Sequence, residues 1–431
     1  GIGSLFTIIQ GMFDKFRLKD LIRNFIYFPD TSLNNDKILC RYPQYYAANI
    51  LYQNIVEHRK PNGDGKGGTY FGATGCGKSF AMLFLTRILM RSSVLESPTI
   101  VLITDRNDLD DQLSKQFTNS KTFIGDSEVV SVESRQDLRD RLQDRTSGGV
   151  FLTTIQKFRE DIKLLSERTN IICISDEAHR SQINLEQKIK TSSEGVRKTY
   201  GFAKYLHDSL PNATYVGFTG TPVDGTLDVF GDLVDSYTMN ESVHDAITVR
   251  IVYEGRAAKV LLNNSKLQEI EEYYKKCEQE GSSDYAIEES KKASTKINLI
   301  LGDPSRIKTI AKDFVDHYEK RISEGSSIIG KTMFVCNSRE IALNLYNEIL
   351  KIRPKWNEII GEDSLNLREK NLKKSKPIER LKLVMTRNKD KDSKKLWDLL
   401  GTKEYRKELD RQFKDPKSNF KIAIVVDMWL T

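Results

Sequence analysis

The run Gly72-Ala73-Thr74-Gly75-Cys76-Gly77-Lys78-Ser79 has the spacing G-x-x-x-x-G-K-S/T. It follows a short β-forming stretch and opens an apolar helical one, the context in which such a loop grips phosphate. Glycines let the backbone curl until several N–H groups face one anion, and a helix N-terminus adds partial positive charge. Lys78 is placed to reach the β- and γ-phosphates of a nucleotide, and the Ser79 hydroxyl to ligate Mg²⁺. A Gly-rich turn with no ligand is the competing reading. Cys76 sits just before the helix, where a thiol gains acidity and reactivity; an inert, packed cysteine is the alternative.

A second constellation is Ile171-Ile172-Cys173-Ile174-Ser175-Asp176-Glu177-Ala178-His179. An apolar run that ends in two carboxylates describes a buried strand emerging at the edge where open α/β sheets bind ligands. There Asp176 would hold Mg²⁺ through its water shell, and Glu177 would orient or deprotonate an attacking water. Without the phosphate loop the same residues read as a solvated Asp-Glu turn, and the role of His179 depends on that pairing. Other strand ends carry hydroxyls, amides and a guanidinium: Thr219 and Thr221 in Gly217–Pro222, Arg106 after the strand ending at Thr104, and Thr154 with Gln156. Such groups suit a phosphodiester backbone held without base reading; ordinary loop chemistry is the bland alternative.

The elements that must position these residues are predicted from apolar runs and periodicity. Strands are expected at 69–71, 99–104, 128–132, 149–153, 171–175 and 214–217, with helices at 79–90, 109–117 and 200–210 between them. Continuous Val/Ile/Leu runs belong to strands covered on both faces, and β alternating with α at this spacing predicts a doubly wound parallel sheet. Upstream, apolar spacing predicts helices over 12–28 and 44–56. The alternation resumes after a polar, charge-rich stretch at 263–294. Helices are expected at 306–321 and 339–351, strands at 332–336, 381–385 and 421–426, and a charged helix precedes the last strand. The resulting organisation is an N-terminal helical connector (1–36), a first lobe (37–245), a linker with a polar helical segment (246–303) and a second lobe (304–431).

Composition sets the outer limits. The chain has 431 residues, 39% of them hydrophobic and 29% charged, as befits a soluble protein of two or more domains. Sixty-seven basic residues against 60 acidic give +7, compatible with a polyanionic partner without demonstrating one. Apolar runs reach only about six residues, whereas a bilayer-spanning helix needs roughly 20. No signal peptide is recognisable, so no membrane role is expected. Five scattered cysteines without metal-ligand spacing argue against a zinc ribbon and a disulfide framework and fit a reducing cytoplasm. The chain has neither H-E-x-x-H nor G-x-S-x-G, which removes metalloprotease and α/β-hydrolase readings.

Taken in order, these motifs resemble the restriction (HsdR) subunit of type I restriction–modification enzymes, a superfamily 2 DNA translocase. Asp176-Glu177-Ala178-His179-Arg180-Ser181-Gln182 is similar to that family's motif II, the Arg-Ser-Gln extension separating it from most DEAH RNA helicases. Arg41 with Gln44 resembles an adenine-side Q-like motif. Asp105-Arg106 with Leu109 and Gln112 looks like motif Ia, residues 153–158 like motif Ib, and Leu210-Pro211-Asn212-Ala213 leading into 217–222 like motif III. Residues 331–339, with Ser338 and Arg339, look like motif IV, and 424–431, ending in Thr431, like the opening of motif V.

The resemblance implies two RecA-like lobes, ATP and Mg²⁺ as cofactors, and ATP-dependent translocation of double-stranded DNA in a bacterial or archaeal cytoplasm. It further implies distant cleavage by an upstream nuclease domain, with modification (methyltransferase) and specificity subunits as partners. Glu289-Ser290-Lys291 is the wrong candidate for that nuclease, having no strand before it. Two departures stand out: Cys76 replaces the family's usual Ser, and motif V is cut short with no motif VI arginines following. The segment alone is therefore expected to bind nucleotide but hydrolyse it poorly. The alternatives are another superfamily 2 helicase or ATPase, and a non-catalytic DNA-binding module.

Overall fold

The computed structural model describes residues 2–31, 36–105, 107–157, 164–179, 188–192, 195–199, 202–221, 224–255, 301–324, 330–360, 377–389 and 392–426. The chain divides into two compact units, Gly1–Val252 and Tyr253–Thr431. No described helix is long and apolar enough to cross a membrane.

The first unit is built on a seven-stranded sheet whose neighbouring strands all run parallel. In chain order they are β1 (Lys66–Gly72), β2 (Thr99–Thr104), β3 (Val129–Ser131), β4 (Val150–Thr154), β5 (Ile171–Ser175), β6 (Thr214–Thr219) and β7 (Leu233–Tyr237). Their spatial order is β7-β1-β6-β5-β2-β4-β3. Successive side chains in a strand face opposite sides. One set (Ile100, Leu102, Leu152, Ile172, Ile174, Phe218) packs with the helices Tyr42–His58 and Lys78–Met90. The other set (Val101, Ile103, Phe151, Ile171, Cys173, Tyr215) packs with Leu138, Leu206, Val229 and Phe230 from helices on the opposite face. Burial on both faces is why these strands read as unbroken apolar runs.

Several elements differ from the sequence reading, among them the hairpin Lys188–Ser192 with Gly195–Thr199 and the helices Arg135–Leu142 and Asp224–Phe230, which it does not contain. The helix predicted over 12–28 is interrupted, because the Asp14 carboxylate accepts the N–H groups of Phe16 and Arg17 and starts a new helix, Lys15–Asp20. A π-turn, Leu21–Phe25, then leads into the short strand Ile26–Tyr27, which pairs with Ile38–Leu39. The edge strand β7 went unpredicted because only one of its residues, Tyr237, is buried, so it has no apolar run.

His207 packs flat on Tyr215, with ring centroids 3.9 Å apart, and its buried Nε2 has no hydrogen-bond partner among the described residues. Burial first, then the nearby Lys60 charge, lowers its pKa to about 4 from 6.5. A base depressed on folding is neutral in the native state but protonated in the unfolded chain below about pH 6.5. Stability is therefore lost as pH falls from about 6.5 to about 4, by up to about 3 kcal/mol. Urea unfolding of His207→Phe against the parent should show this extra acid sensitivity removed; parallel pH profiles would contradict it.

The second unit repeats the plan on a smaller scale. Strands β8 (Thr332–Cys336), β9 (Leu381–Val384) and β10 (Ile422–Val426) form a parallel sheet in the order β8-β10-β9. The helices Pro304–Ser323 and Arg339–Ile352 bury Ile307, Val315, Leu345 and Ile349 against Leu383, Ile422 and Ile424. From Lys403–Lys414, Leu409 and Phe413 cover Val384, Ala423 and Val425 on the other face. Both sheets are thus doubly wound, as the alternation of elements predicted.

Candidate active site

Strand register brings the two sequence constellations to one edge of the first unit. Phe71 of β1 lies opposite Thr219 of β6, and Gly217 of β6 opposite Ser175 of β5. The phosphate-loop candidate and the acidic pair therefore leave the sheet at the same carboxyl edge, separated by the single strand β6. At the usual strand spacing that is about 10 Å, the scale of a triphosphate with its metal and water.

The loop itself is held open by two glycines. Gly75 and Gly77 have φ of +84° and +89°, the left-handed region that disfavours a side chain. A β-carbon on Gly77 would also lie 2.5 Å from Gln44 Nε2. That amide donates to the carbonyl of Gly77 at 3.3 Å and reaches that of Cys76 at 3.5 Å, while Gln44 Oε1 accepts the Arg41 N–H at 2.9 Å. Within the loop the Cys76 N–H is bonded to the Ala73 carbonyl at 3.1 Å, and the Gly77 carbonyl also accepts the Phe80 N–H at 3.0 Å as the helix begins. Lys78 Nζ donates to the Gly72 carbonyl at 3.1 Å, and Ser79 is the second residue of the helix. A β-carbon on Gly220 would stand 3.3 Å from Thr74 Oγ1 and 3.4 Å from Lys78 Nζ, so the turn after β6 lies against the loop. Cys76 is buried in the core, and that burial raises its pKa despite the Lys78 charge that opposes it. Desolvation outweighs the Lys78 charge and the hydrogen bonds that favour the thiolate, which speaks for the packed-cysteine alternative.

Asp176 leaves β5 with its N–H bonded to the Ile103 carbonyl (2.8 Å), and its Oδ1 accepts the Glu177 N–H (2.9 Å). Glu177 has φ +49°, uncommon for a side-chain-bearing residue and held in place by the Ala178 N–H on the Phe218 carbonyl at 3.0 Å. Thr219 Oγ1 lies 2.7 Å from His179 Nδ1, accepts the Thr221 N–H and donates to the Thr221 carbonyl, both at 3.0 Å. With the hydroxyl proton committed to Thr221, Nδ1 is the donor in the His179 contact. Glu177 Oε2 lies 3.5 Å from the same nitrogen. The acidic turn and the turn facing Lys78 are therefore tied through one buried hydroxyl.

The residues expected at nucleic acid are distributed differently. Thr221 is exposed at this edge, whereas Thr154 is buried at the end of β4 and offers no accessible hydroxyl. Gln156 lies in the single turn Ile155–Lys157, and Arg106 and Thr431 fall outside the described residues. In the second unit Ser338 caps the helix Arg339–Ile352 by accepting the Ile341 N–H (3.3 Å). The Arg339 guanidinium grips both oxygens of the fully buried Asp392 carboxylate (2.6 and 2.7 Å) and the Thr386 carbonyl (2.6 Å). Arg339 is thus engaged within its own unit, with its side chain still partly exposed.

Burial raises the Asp392 pKa, but the Arg339 fork and the Asn388 N–H outweigh it and hold the carboxyl below its usual 3.8. A depressed carboxylate stabilises above that range and loses its contribution as pH falls through the lowered value. Arg339→Ala should cost about 2–3 kcal/mol at pH 7, somewhat under the range for fully buried pairs since Arg339 is partly exposed. The urea midpoint should fall accordingly, and an unchanged midpoint would show the pair to be incidental.

The SWI2/SNF2 ATPase family matches residues 43–285, more than half of the chain. The chain belongs to this family. The matched span of this SWI2/SNF2 ATPase contains the phosphate loop, the acidic turn and Thr219–Thr221, while Arg41, Ser338 and Arg339 lie outside it. Over 99% of its length the chain is 36% identical to the type I restriction enzyme HindI endonuclease subunit of Haemophilus influenzae, covering 38% of that protein. It is 31% identical, again over 99%, to a Methanocaldococcus jannaschii protein described as the MjaIXP type I restriction enzyme endonuclease subunit, covering 37% of it. The chain thus spans less than two fifths of the length of these two relatives. A solved fragment described as an HsdR subunit from Vibrio vulnificus superposes with a TM-score of 0.47 at 12% identity, over 96% of this chain and 56% of that one.

One group beside the loop had no signal in the sequence. The Tyr42 and Tyr237 hydroxyls both donate to Asp245 Oδ2, at 2.6 and 2.8 Å. Tyr42 and Asp245 are 203 residues apart, and no motif spacing connects them.

Proposed function

We propose that this SWI2/SNF2 ATPase is the ATP-hydrolysing motor of a type I restriction endonuclease R subunit and that it translocates double-stranded DNA. The observation that carries the nucleotide reading is the convergence of the glycine loop, the Thr219–Thr221 turn and Asp176–His179 on one sheet edge. The restriction-enzyme reading is supported by identity to such subunits along nearly the whole chain.

In this reading the loop N–H groups and the Lys78 ammonium bind the triphosphate, and Glu177 accepts the proton of the attacking water. The residues fit a divalent cation: Ser79 and Asp176 supply hard oxygen donors at the anion cradle. Mg²⁺ held there would neutralise charge on the phosphates during hydrolysis. The His179–Thr219 contact passes a change at the acidic turn to Thr221, the exposed residue of the same edge, which would contact the DNA backbone. DNA cleavage would belong to a nuclease domain elsewhere in the longer protein. Modification and specificity subunits would be the partners, and a bacterial or archaeal cytoplasm the compartment.

The test uses the full-length subunit assembled with its partners. DNA-stimulated ATP hydrolysis together with displacement of a triplex-forming strand is the expected result. Hydrolysis coupled to unwinding of a forked duplex would mark a strand-separating helicase instead. Failure to bind Mg·ATP would refute the motor reading altogether.

A further inference from the structure

We propose that Asp245 is a positioning residue of the nucleotide site, fixing the Tyr42 ring beside the phosphate loop as a wall for the nucleobase. The inference rests on the nucleotide reading above and extends it to the base end of the ligand, where Tyr42 stands between Arg41 and Gln44 of the adenine-side motif.

Strand order dictates where that end must go. The acidic turn and Gly220 lie on the β6–β5 side of β1, so the terminal phosphate, its metal and its attacking water belong there. The nucleoside is then left the other side, toward the edge strand β7. That flank is built against the loop: the Tyr237 carbonyl accepts the Ala73 N–H at 2.8 Å, and Thr248 Cγ2 lies 3.6 Å from where a β-carbon on Gly75 would be. Tyr42 stands at the same corner, two residues before the Gln44 amide that meets the Gly77 carbonyl.

Tyr42 is 55% exposed, yet it is not free to turn. Its hydroxyl is held by Asp245, and its ring meets that of Tyr237 edge-to-face, with centroids 6.0 Å apart. The Tyr42 bond first and the Tyr237 bond second keep the Asp245 carboxyl below the ordinary range, so at neutral pH it only accepts. An exposed aromatic ring fixed before any ligand arrives offers a stacking face at little further entropic cost. Every nucleobase presents a matching π-face. Fixing the ring adds little to a hydrophobic core, because most of it remains in solvent; the arrangement makes sense as a preorganised surface.

The experiment compares two probes, Mg·ATP and Mg·tripolyphosphate, which share the phosphates and differ in the nucleoside. Binding is measured with the full-length subunit by competition against a fluorescent nucleotide. Tyr42→Leu should weaken ATP about tenfold, in line with the loss of one stacked base, and leave tripolyphosphate within about twofold. Asp245→Ala and Tyr42→Phe, which keep the ring but remove its tether, should each lose about threefold for ATP alone. Equal weakening of both probes would overturn the proposal by showing that Asp245 acts on the loop or the fold, and unchanged affinity for both would also overturn it. A parent protein that binds neither probe would remove the nucleotide reading itself, and this inference with it.

Discussion

Lys78→Ala should reduce ATP hydrolysis by about 10²–10³-fold or more, the loss typical of a single group aimed at developing charge. Nucleotide affinity should fall with it, because Lys78 is the one cation within the loop and its only described hydrogen bond is to the Gly72 carbonyl. That single bond also makes the fold a poor alternative explanation. A half-buried ammonium on a loop carbonyl contributes little to stability, so the urea midpoint should stay within experimental scatter of the parent. Steady-state phosphate release and thermal unfolding on the same preparation separate the two effects. Undiminished hydrolysis by a folded Lys78→Ala protein would eliminate this loop as the site.

Glu177→Gln should have the opposite profile: nucleotide still binds, while turnover drops by about 10²–10⁴-fold, the usual contribution of a positioned general base. Glutamine preserves size and can keep the approach to His179 Nδ1, now 3.5 Å. The unusual φ of Glu177 is set by the Ala178 bond to Phe218 and is untouched by the change. A lower kcat with KM essentially unchanged marks an interaction made in the transition state. Parallel loss of affinity and turnover would place Glu177 in nucleotide binding instead, and full activity would assign the proton to another group. Together the two variants distinguish the group that grips phosphate from the group that handles water.

Much of the first sheet was legible because its strands are covered on both faces. Thr99–Thr104 and Ile171–Ser175 are buried throughout, and such strands announce themselves as apolar runs. Leu233–Tyr237 was not, since an edge strand keeps polar residues toward solvent and resembles a loop. The N-terminal helix departs from its pattern for a related reason: its apolar spacing continues past Asp14, but a local carboxylate cap overrides periodicity. Cys76 and Arg339 show what motif position leaves out for chemistry. It carries no sign that burial raises the Cys76 thiol or that Arg339 pairs with Asp392, 53 residues farther on.

On its own, the sequence determined the identity of the chemical groups: a glycine loop with Lys78 and Ser79, and an apolar strand ending in Asp176 and Glu177. These are short-range patterns, encoded within a few residues by backbone conformation and polarity. Tertiary structure alone decided that β6 would insert between β1 and β5, that Thr219 would bridge His179 to Thr221, and that Asp245 would hold Tyr42 beside the loop. The reason lies in parallel sheets themselves. Each strand must return through a crossover, so neighbours in space are distant in sequence, and only the burial of both sheet faces selects their order.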